Sequence, residues 1–592
     1  MENDISITKD ELIAEAQKMM DERARLSTAS CVDLGDKFEI IYHFEPREYP
    51  EPLKNIRVKI AKDDTLPSLS GIYLCAALIE NEIQELFNVQ ISDIALNFQK
   101  RFLRSKESPE AELLKPTPYK PEPPERIPVR CGEACPAGID IPRYVRLIGE
   151  GKYAESLAVI KQAMPFPGIL GRVCFAPCED NCRQAKQEEP VAVRMLKRFA
   201  YDHATYEEKK TAKQTGKRVA IIGSGPAGLA AAYYLAKIGH GVTIFEALPQ
   251  AGGMMRAGIP SYRLPRNILD DEIKMVKNLG VEIKTNTKVE SLDKLSKDGY
   301  QAVLVATGAH QGIKMGVEGE DHPKVMECID LLRDVNFGKK LKLGDRVAVI
   351  GGGNAAIDAA RTALRLGSKE VTILYRRTKA EMPANPEEVA EAIKEGVKIE
   401  FLAAPTKVFG KNGAVALENI RMKLGEPDAS GRPRPEPIEG SEFKVDLDAV
   451  IAAIGQRPEV PEQFKLETGR GNVIVANAET MATSKAGVFT AGDVATGPAS
   501  VVEAIRTAKE AAMSIDKYLG GKGALPIDEP KVKDLTSRRT FIERWAEEGK
   551  RVEMPSLSIE DRLKGFDEVE LGISEEMAIA EGQRCWRCDL EE

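Results

Sequence analysis

Residues 217–228, KRVAIIGSGPAG, decide how this chain is read. The apolar run Val219-Ala220-Ile221-Ile222 reads as a buried parallel strand, continuously apolar because both faces are covered. It runs into Gly223-Ser224-Gly225-Pro226-Ala227-Gly228 and then an alanine-rich helical stretch. Glycines in this pattern permit the tight turn, the close approach of backbone to a pyrophosphate, and the packing of helix on strand. The helix N-terminus then turns its unpaired N–H groups and positive dipole end toward the phosphates. One such turn is weak evidence. The next strand, Val242-Thr243-Ile244-Phe245, ends in Glu246, about 20 residues on, where an acid that holds a ribose belongs. The plain alternative is a glycine turn followed by a surface glutamate, and the strand–turn–helix–strand context argues against it.

A second turn of the same type follows. Arg346–Ile350 reads as a strand, and Gly351-Gly352-Gly353-Asn354-Ala355-Ala356 as a G-x-G-x-x-A turn opening a helix. The strand after it, Val371–Leu374, ends in Tyr375-Arg376-Arg377. An acid there would suit the free 2′-hydroxyl of NAD, whereas two guanidiniums suit the 2′-phosphate of NADP. The plain alternative is a solvated basic strand end. Between the turns lie Gly252-Gly253, the stretch Gly258 to Arg263-Leu264-Pro265, and a strand from Ala302 to Ala306 followed by Thr307-Gly308, the return crossing of a flavoprotein fold. Val450–Ile454 with Gly455 closes the second nucleotide domain. A strand then ends in Gly492-Asp493, ahead of a helix starting near Ala499 and Ser500. Asp493 can accept a hydrogen bond from a ribityl hydroxyl. The expected fold is α/β, with two Rossmann-like dinucleotide-binding domains, one for FAD and one for NADPH. A helical domain and an N-terminal α+β domain precede them.

Composition bounds the rest. The chain has 592 residues, enough for three to five domains of about 150 residues. Its 43% hydrophobic and 30% charged residues describe a soluble globular chain, and a net charge of −8 argues against a nucleic-acid partner. No apolar run reaches the roughly 18 residues that span a bilayer. The N-terminus, MENDISITKDELIAEA, is acidic and amphipathic, not a secretory signal. The expected location is cytoplasmic, where ten reduced cysteines favour metal ligation over disulfides.

In chain order, residues 1–103 read as a small α/β domain without a catalytic constellation. Leu12, Ala16, Met19 and Met20 mark its opening helix, and Lys37–Glu45 and Ile56–Ile60 mark strands. Residues 104–130, rich in proline and charge, read as an extended linker. Residues 131–212 hold Cys131, Cys135, Cys174, Cys178 and Cys182 around the helical repeat Ile141, Val145, Ile148, Leu157, Ile160. Thiolates so spaced beside proline and glycine turns can close on a soft metal centre, and iron–sulfur is favoured over zinc. The five histidines (43, 203, 240, 310 and 322) offer only His203 nearby, a poor fit to a Cys/His zinc site. Residues 213–337 and 479–522 form the two parts of the FAD domain, and 338–478 the NAD(P)H domain. Cys31, Cys75 and Cys328 stand alone and read as core. Residues 523–592 form a tail in which Ser574 caps a short helix running into Cys585-Trp586-Arg587-Cys588. A redox dithiol is the rival reading of that C-x-x-C.

Residues 125–522 resemble the small, NADPH-oxidising subunit of glutamate synthase. They also resemble the flavin/iron–sulfur half of dihydropyrimidine dehydrogenase and the large subunit of NADH-dependent ferredoxin:NADP oxidoreductase. The resemblance runs through Cys135-Pro136, Gly171-Arg172-Val173-Cys174, Gly258-Ile259-Pro260 to Pro265, Tyr375-Arg376-Arg377 and Ala491-Gly492-Asp493. Leu66-Pro67-Ser68 and Glu80-Asn81-Glu82-Ile83-Gln84-Glu85-Leu86-Phe87-Asn88 resemble the small hydrophilic docking subunit of complex I and energy-converting hydrogenases, with Glu85 for an Asp and Asn88 for a Gly.

The resemblance implies an extra C-x-x-C just ahead of Cys131, where this chain has its linker. The phrase that accompanies it elsewhere stands here at the far end, from Phe566 to Cys588, which implies that the tail folds back. The implied ligand sets are Cys131, Cys182, Cys585 and Cys588 for one 4Fe-4S cluster, and Cys135, Cys174 and Cys178 for a second. Lys197 occupies the second cluster's fourth position; a protonated lysine is no iron ligand, so one or two clusters are expected. Lys197 and Arg194 near a cluster would raise its potential. The implied activity is hydride exchange between NADPH and FAD, then single electrons through the clusters to or from a hydrogenase-, ferredoxin- or aldehyde-type partner. A glutamate synthase small subunit, and a scaffold with a vestigial redox core, are the competing readings.

Overall fold

The computed structural model describes residues 4–46, 53–100, 102–103, 130–186, 188–208, 212–411, 414–427, 431–525 and 550–590. The expected proline-rich linker lies outside them except for its last residue. The chain divides into two compact units, Met1–Glu125 and Arg126–Glu592.

In the first unit a four-stranded sheet runs Asp4–Ile7, Lys54–Ala61, Lys37–Glu45, Arg25–Asp33, antiparallel except for the first pair. Along Lys37–Glu45 the side chains of Phe38, Ile40, Tyr42 and Phe44 are buried, the period-2 signature of a strand facing one core. Leu12, Ala16 and Met19 of the helix Leu12–Asp21 close that core, with Ala76, Ala77 and Ile83 of Ala76–Phe87. Burying each large side chain stabilises by about 1.5–3 kcal/mol. Asn88 ends the second helix at φ +57°, left-handed backbone where glycine usually stands and asparagine is tolerated. Glu85 accepts the Leu103 N–H at 2.7 Å and so ties the following segment to the helix.

The second unit holds two parallel five-stranded sheets. The first runs Val488–Thr490, Ala302–Val305, Arg218–Ile222, Gly241–Phe245, Glu282–Lys284. The second runs Val325–Glu327, Ala449–Ala452, Arg346–Ile350, Glu370–Tyr375, Lys398–Phe401. The second sheet thus starts before the expected boundary at 338 and ends before 478. Phe464 and Ile474 pack instead with Val303, Val305 and Val488 of the first sheet. The short pair Gln311–Gly312 and Gln456–Arg457 joins the crossings between the two. An antiparallel layer, Ala403–Lys411, Ala414–Pro427, Pro433–Pro437 and Phe443–Leu447, flanks the second sheet and was not expected.

Residues 130–203 are helical. Asp140 caps Ile141–Gly149 by accepting the Arg143 N–H at 3.3 Å, with Pro142 in the first turn, where a missing N–H costs nothing. The other main helices are Tyr153–Ala163, Pro167–Val173 and Val193–His203. Their apolar faces share one continuous core with Val219, Ile221 and Leu304 of the first sheet. The tail helix Glu575–Gln583 lies on Ile141–Gly149, where glycine meets glycine: a Cβ on Gly582 would sit 2.7 Å from Gly149 N. No helix among the described residues is long and apolar enough to cross a membrane.

Candidate functional site

Both glycine turns face one cavity of ≈ 1020 Å³. At the first turn, Gly223 holds φ +105°, and a Cβ there would strike the Ala306 carbonyl. The helix Pro226–Ile238 starts from Gly225. Gly253, at φ +51°, passes so near Gly225 that a Cβ would meet its Cα at 2.5 Å. These contacts keep the turn narrow and leave the helix N-terminus open to the cavity. Glu246 ends its strand with the carboxylate already ordered: it accepts the Ser224 N–H at 2.9 Å and the Leu248 N–H at 2.7 Å. Gly492 at φ +72° precedes Asp493, which also lines the cavity. Burial pushes the Asp493 carboxyl up to about 6, since only the Ala499 N–H, at 3.2 Å, favours its charge. Thr307, another lining residue, has its Oγ1 buried without a hydrogen-bond partner. A Cβ-intolerant cradle, an unmatched hydroxyl and a carboxylate held short of its usual solvation fit a dinucleotide with ribose or ribityl hydroxyls.

At the second turn Gly351 has φ +140°, and a Cβ there would strike the Ala453 carbonyl. Asn354 begins the helix Asn354–Arg365, and its Oδ1 accepts the Asn385 N–H at 2.9 Å. Gly353, Ala355, Gly455, Arg376 and Arg377 line the cavity here.

Of the residues singled out in the sequence, Gly223, Gly225, Pro226, Ala227, Glu246, Gly253, Arg263, Thr307, Gly308, Gly351, Gly353, Asn354, Ala355, Arg376, Arg377, Gly455, Gly492, Asp493 and Ser500 line this one cavity. Gly228 and Leu264 do not. Gly228 sits where a Cβ would strike the Gly223 carbonyl, so it serves packing of the helix on the turn. Leu264 is fully buried in the core. Arg263 lines the cavity but is already paired, 2.9 Å from Asp358 and 3.0 Å from Glu388.

The cysteines fall into two groups. Cys131, Cys182, Cys585 and Cys588 line a small cavity of ≈ 30 Å³ together with Trp586. Burial, then the neighbouring Cys182 and Cys588, pushes the Cys131 thiol up to about 12. Thiolates crowded in so dry a place call for a cationic centre. The second group is Cys135, Cys174 and Cys178 around the buried Lys197. Burial works against the ammonium charge of Lys197, but Cys174, Cys178, Cys135 and Glu179 outweigh it and hold its pKa above the ordinary value. Glu179, the nearby carboxylate, is engaged elsewhere, accepting Arg194 N–H at 2.8 Å and pairing with Arg551 at 2.7 Å. Among the described residues no three His, Cys, Asp or Glu side chains are placed to hold a single ion. Four thiolates that would each bind a different iron of one cluster need not converge as the ligands of a single ion do. No disulfide joins any of the ten cysteines. Cys328 is buried as expected, but Cys75 is exposed, ahead of a helix whose buried face begins at Ala76.

The tail that delivers Cys585 and Cys588 is fastened by Arg194, singled out in the sequence for a different role, and by groups the sequence did not single out. Glu570 pairs with Arg194 at 2.8 Å and Glu568 with Arg172 at 2.7 Å. Arg562 pairs with Glu391 of the second nucleotide domain. Glu581, fully buried, accepts the Ala192 N–H at 2.8 Å and the Val552 N–H at 2.9 Å. The large cavity reaches the loop of the second cysteine group: Val173 and Phe175, which flank Cys174, line it.

Fold and site together define a pyridine-nucleotide oxidoreductase carrying an FAD/NADP-binding domain and a 4Fe-4S domain. Residues 217–508 match the pyridine nucleotide-disulphide oxidoreductase family, and 127–209 match dihydropyrimidine dehydrogenase domain II, 4Fe-4S cluster. Residues 5–112 match the 30 kDa subunit of respiratory-chain NADH dehydrogenase. The chain is similar to the NADP(+)-dependent formate dehydrogenase subunit beta of Moorella thermoacetica, 43% identical over 79% of this chain and 71% of the relative. It is similar to the NADPH-Fe(3+) oxidoreductase subunit beta of Geobacter sulfurreducens, 41% identical over 77% of this chain and 75% of the relative. It is also similar to the glutamate synthase [NADPH] small chain of Azospirillum brasilense, 34% identical over 67% of this chain and 88% of the relative. The chain therefore belongs to the glutamate synthase small-chain-like family of NADPH oxidoreductases.

Proposed function

We propose that this protein is the NADP(H)-linked electron-transfer subunit of a multisubunit redox complex, working in the cytoplasm. The observation that carries this is the shared wall: the cavity lined by both glycine turns is also lined by Val173 and Phe175, on either side of Cys174. When bound, FAD exchanges hydride with NADPH and passes electrons on singly, which the iron–sulfur clusters carry. The chain's own residues bind and orient. Glu246 and Asp493 hold sugar hydroxyls at opposite ends of the first site, and the helix starting at Pro226 faces the phosphates. Arg376 and its neighbours hold the second nucleotide. Val173 and Phe175 exclude water between the cavity and the cysteine loop. Cys131, Cys182, Cys585 and Cys588 hold one cluster; Cys135, Cys174 and Cys178 hold the other, with Lys197 beside them. No proton-transfer dyad is required.

The first unit is the docking module. Leu74, Leu78, Leu96, Phe98 and Leu103 are exposed on it, an apolar complement for a hydrogenase-, ferredoxin- or aldehyde-type subunit. The relatives named above as beta subunits support an assembly of this kind. Anaerobic purification with its partners tests the reading. NADPH should bleach the bound flavin, NADH at the same concentration should not, and iron should reach about seven or eight atoms per chain. About four iron atoms would remove the second cluster. A flavin-free, iron-free protein that still assembles would support the scaffold reading instead.

A further inference from the structure

We propose that the 2′-phosphate of NADP is read by Arg376 together with Arg432, and that Arg377 is a positioning residue that holds Arg432 in place. This rests on the NADP assignment above. In sequence, Arg376-Arg377 looks like the phosphate-binding pair because the two stand side by side at the strand end. A strand sends successive side chains to opposite faces, so two neighbours rarely meet one ligand atom group. The structure separates them accordingly. Arg376 is exposed on the cavity wall and makes no ion pair among the described residues. Arg377 is 3% exposed, and its Nε donates to the Pro433 carbonyl at 2.8 Å. Its own carbonyl accepts the Leu402 N–H at 3.2 Å. Arg377 also borders the cavity, but its Nε is committed to that carbonyl.

What it holds is the start of the strand Pro433–Pro437, and Arg432 is the residue just ahead of that strand. Arg432 is exposed and lines the same cavity as Arg376. The strand end itself cannot drift, because the Tyr375 ring lies over Gly352 so closely that a Cβ there would come within 2.5 Å of it. One guanidinium on the sheet and one on the antiparallel layer give a phosphate dianion charge-assisted donors from two directions. A single strand end cannot supply that geometry.

The test uses the full-length, flavin-loaded protein under anaerobic conditions, with 2′,5′-ADP and 5′-AMP as probes by titration calorimetry. Wild type should bind 2′,5′-ADP the more tightly. Arg432→Ala and Arg376→Ala should each weaken 2′,5′-ADP by roughly ten- to a hundredfold and leave 5′-AMP unchanged. Arg377→Lys keeps the charge but loses the lateral N–H, so it should weaken 2′,5′-ADP too. In the double variant Arg377→Lys/Arg432→Ala the loss should equal that of Arg432→Ala alone, as for residues acting through one contact. Flavin content and 5′-AMP affinity report that each variant is folded. An Arg432→Ala protein with wild-type discrimination overturns the proposal, as does additivity in the double variant. A wild type that does not prefer 2′,5′-ADP overturns the NADP assignment, and this proposal with it, and so is a separate result.

Discussion

Replacing Glu581 by alanine should strip iron from one site while sparing the flavin. Glu581 is fully buried at the seam between the tail helix and the helical domain. Its carboxylate accepts Ala192 N–H at 2.8 Å, Val552 N–H at 2.9 Å and Arg584 Nη1 at 2.7 Å. Alanine leaves two backbone donors without acceptors and removes the partner of a buried guanidinium. Breaking a buried pair costs about 3–5 kcal/mol. Arg584 keeps the Glu189 carbonyl at 2.8 Å, which argues for the middle of that range rather than the top. About 4 kcal/mol shifts the docked tail toward the undocked form roughly a thousandfold. The loss is local, because Glu581 contacts neither nucleotide turn. The assay is iron, acid-labile sulfide and FAD per chain, with hydrogen exchange over residues 574–583. We expect full flavin, about four iron atoms lost, and faster exchange in the tail helix. Glu581→Gln, which keeps acceptor oxygen but no charge, should fall between. A Glu581→Ala protein with full iron and a protected tail would refute the view that this carboxylate latches the ligand-bearing segment.

Three further outcomes are expected. Gly582→Ala should gain up to about 1 kcal/mol in helix propensity yet lose about 1–3 kcal/mol to overpacking. The reason is that its Cβ would lie 2.7 Å from Gly149 N and 2.9 Å from Val145 O, both backbone; the melting temperature by calorimetry should fall, and a rise would count against the tight crossing. Asp493, raised by burial to about 6, binds more protons folded than unfolded, so flavin-free protein should lose stability as pH rises from about 4 to about 6. Asp493→Asn should flatten that slope, worth about 2 kcal/mol after solvent screening, in urea midpoints across this pH range; an unchanged slope would assign it to other groups. Lys197→Met removes a cation from among Cys135, Cys174 and Cys178 and should lower that site's potential by roughly 60 mV in a redox titration followed by EPR, whereas an unmoved potential would mean the charge is compensated elsewhere.

What the sequence made legible is local. The strand Arg218–Ile222, its glycine turn and Glu246 lie within about 30 residues, so spacing alone carries their meaning. The second turn is readable for the same reason. Arg432 was not, because its neighbourhood of proline, glycine and charge looks like an ordinary loop, and only strand pairing places it on the cavity. The boundary near Val325 was missed because a three-residue strand has no periodicity to read. Leu264 stands inside a motif shared with cofactor-binding residues, yet its own side chain is core. The latch of Glu568, Glu570 and Glu581 joins residues several hundred positions apart, and a surface-like run of acids gives no sign of its distant partners.

The displaced C-x-x-C shows what a cluster site requires of a chain. Thiols must arrive at given places, and the direction of approach is free. Bringing Cys585 to Cys131 looks entropically expensive over so long a separation, but loop cost grows only about 0.6 kcal/mol per doubling of length. Here it is smaller still, because the folded nucleotide domains already bring the tail's origin close: the long helix Val501–Tyr518 packs against Pro226–Ile238 and shares the core of the helical domain. The remaining cost is offset by side chains, not by connectivity. Arg551–Glu179, Arg194–Glu570 and Arg172–Glu568 are buried or half-buried ion pairs, and each tethers the tail to a different helix or turn of the cysteine-bearing domain. The same strap reaches the second nucleotide domain through Arg562 and Glu391. This segment carries Cys585 and Cys588 at one end and, at the other, pairs with the helix Pro386–Lys394. One segment is therefore tied by ion pairs both to the cysteine-bearing helices and to the second nucleotide domain.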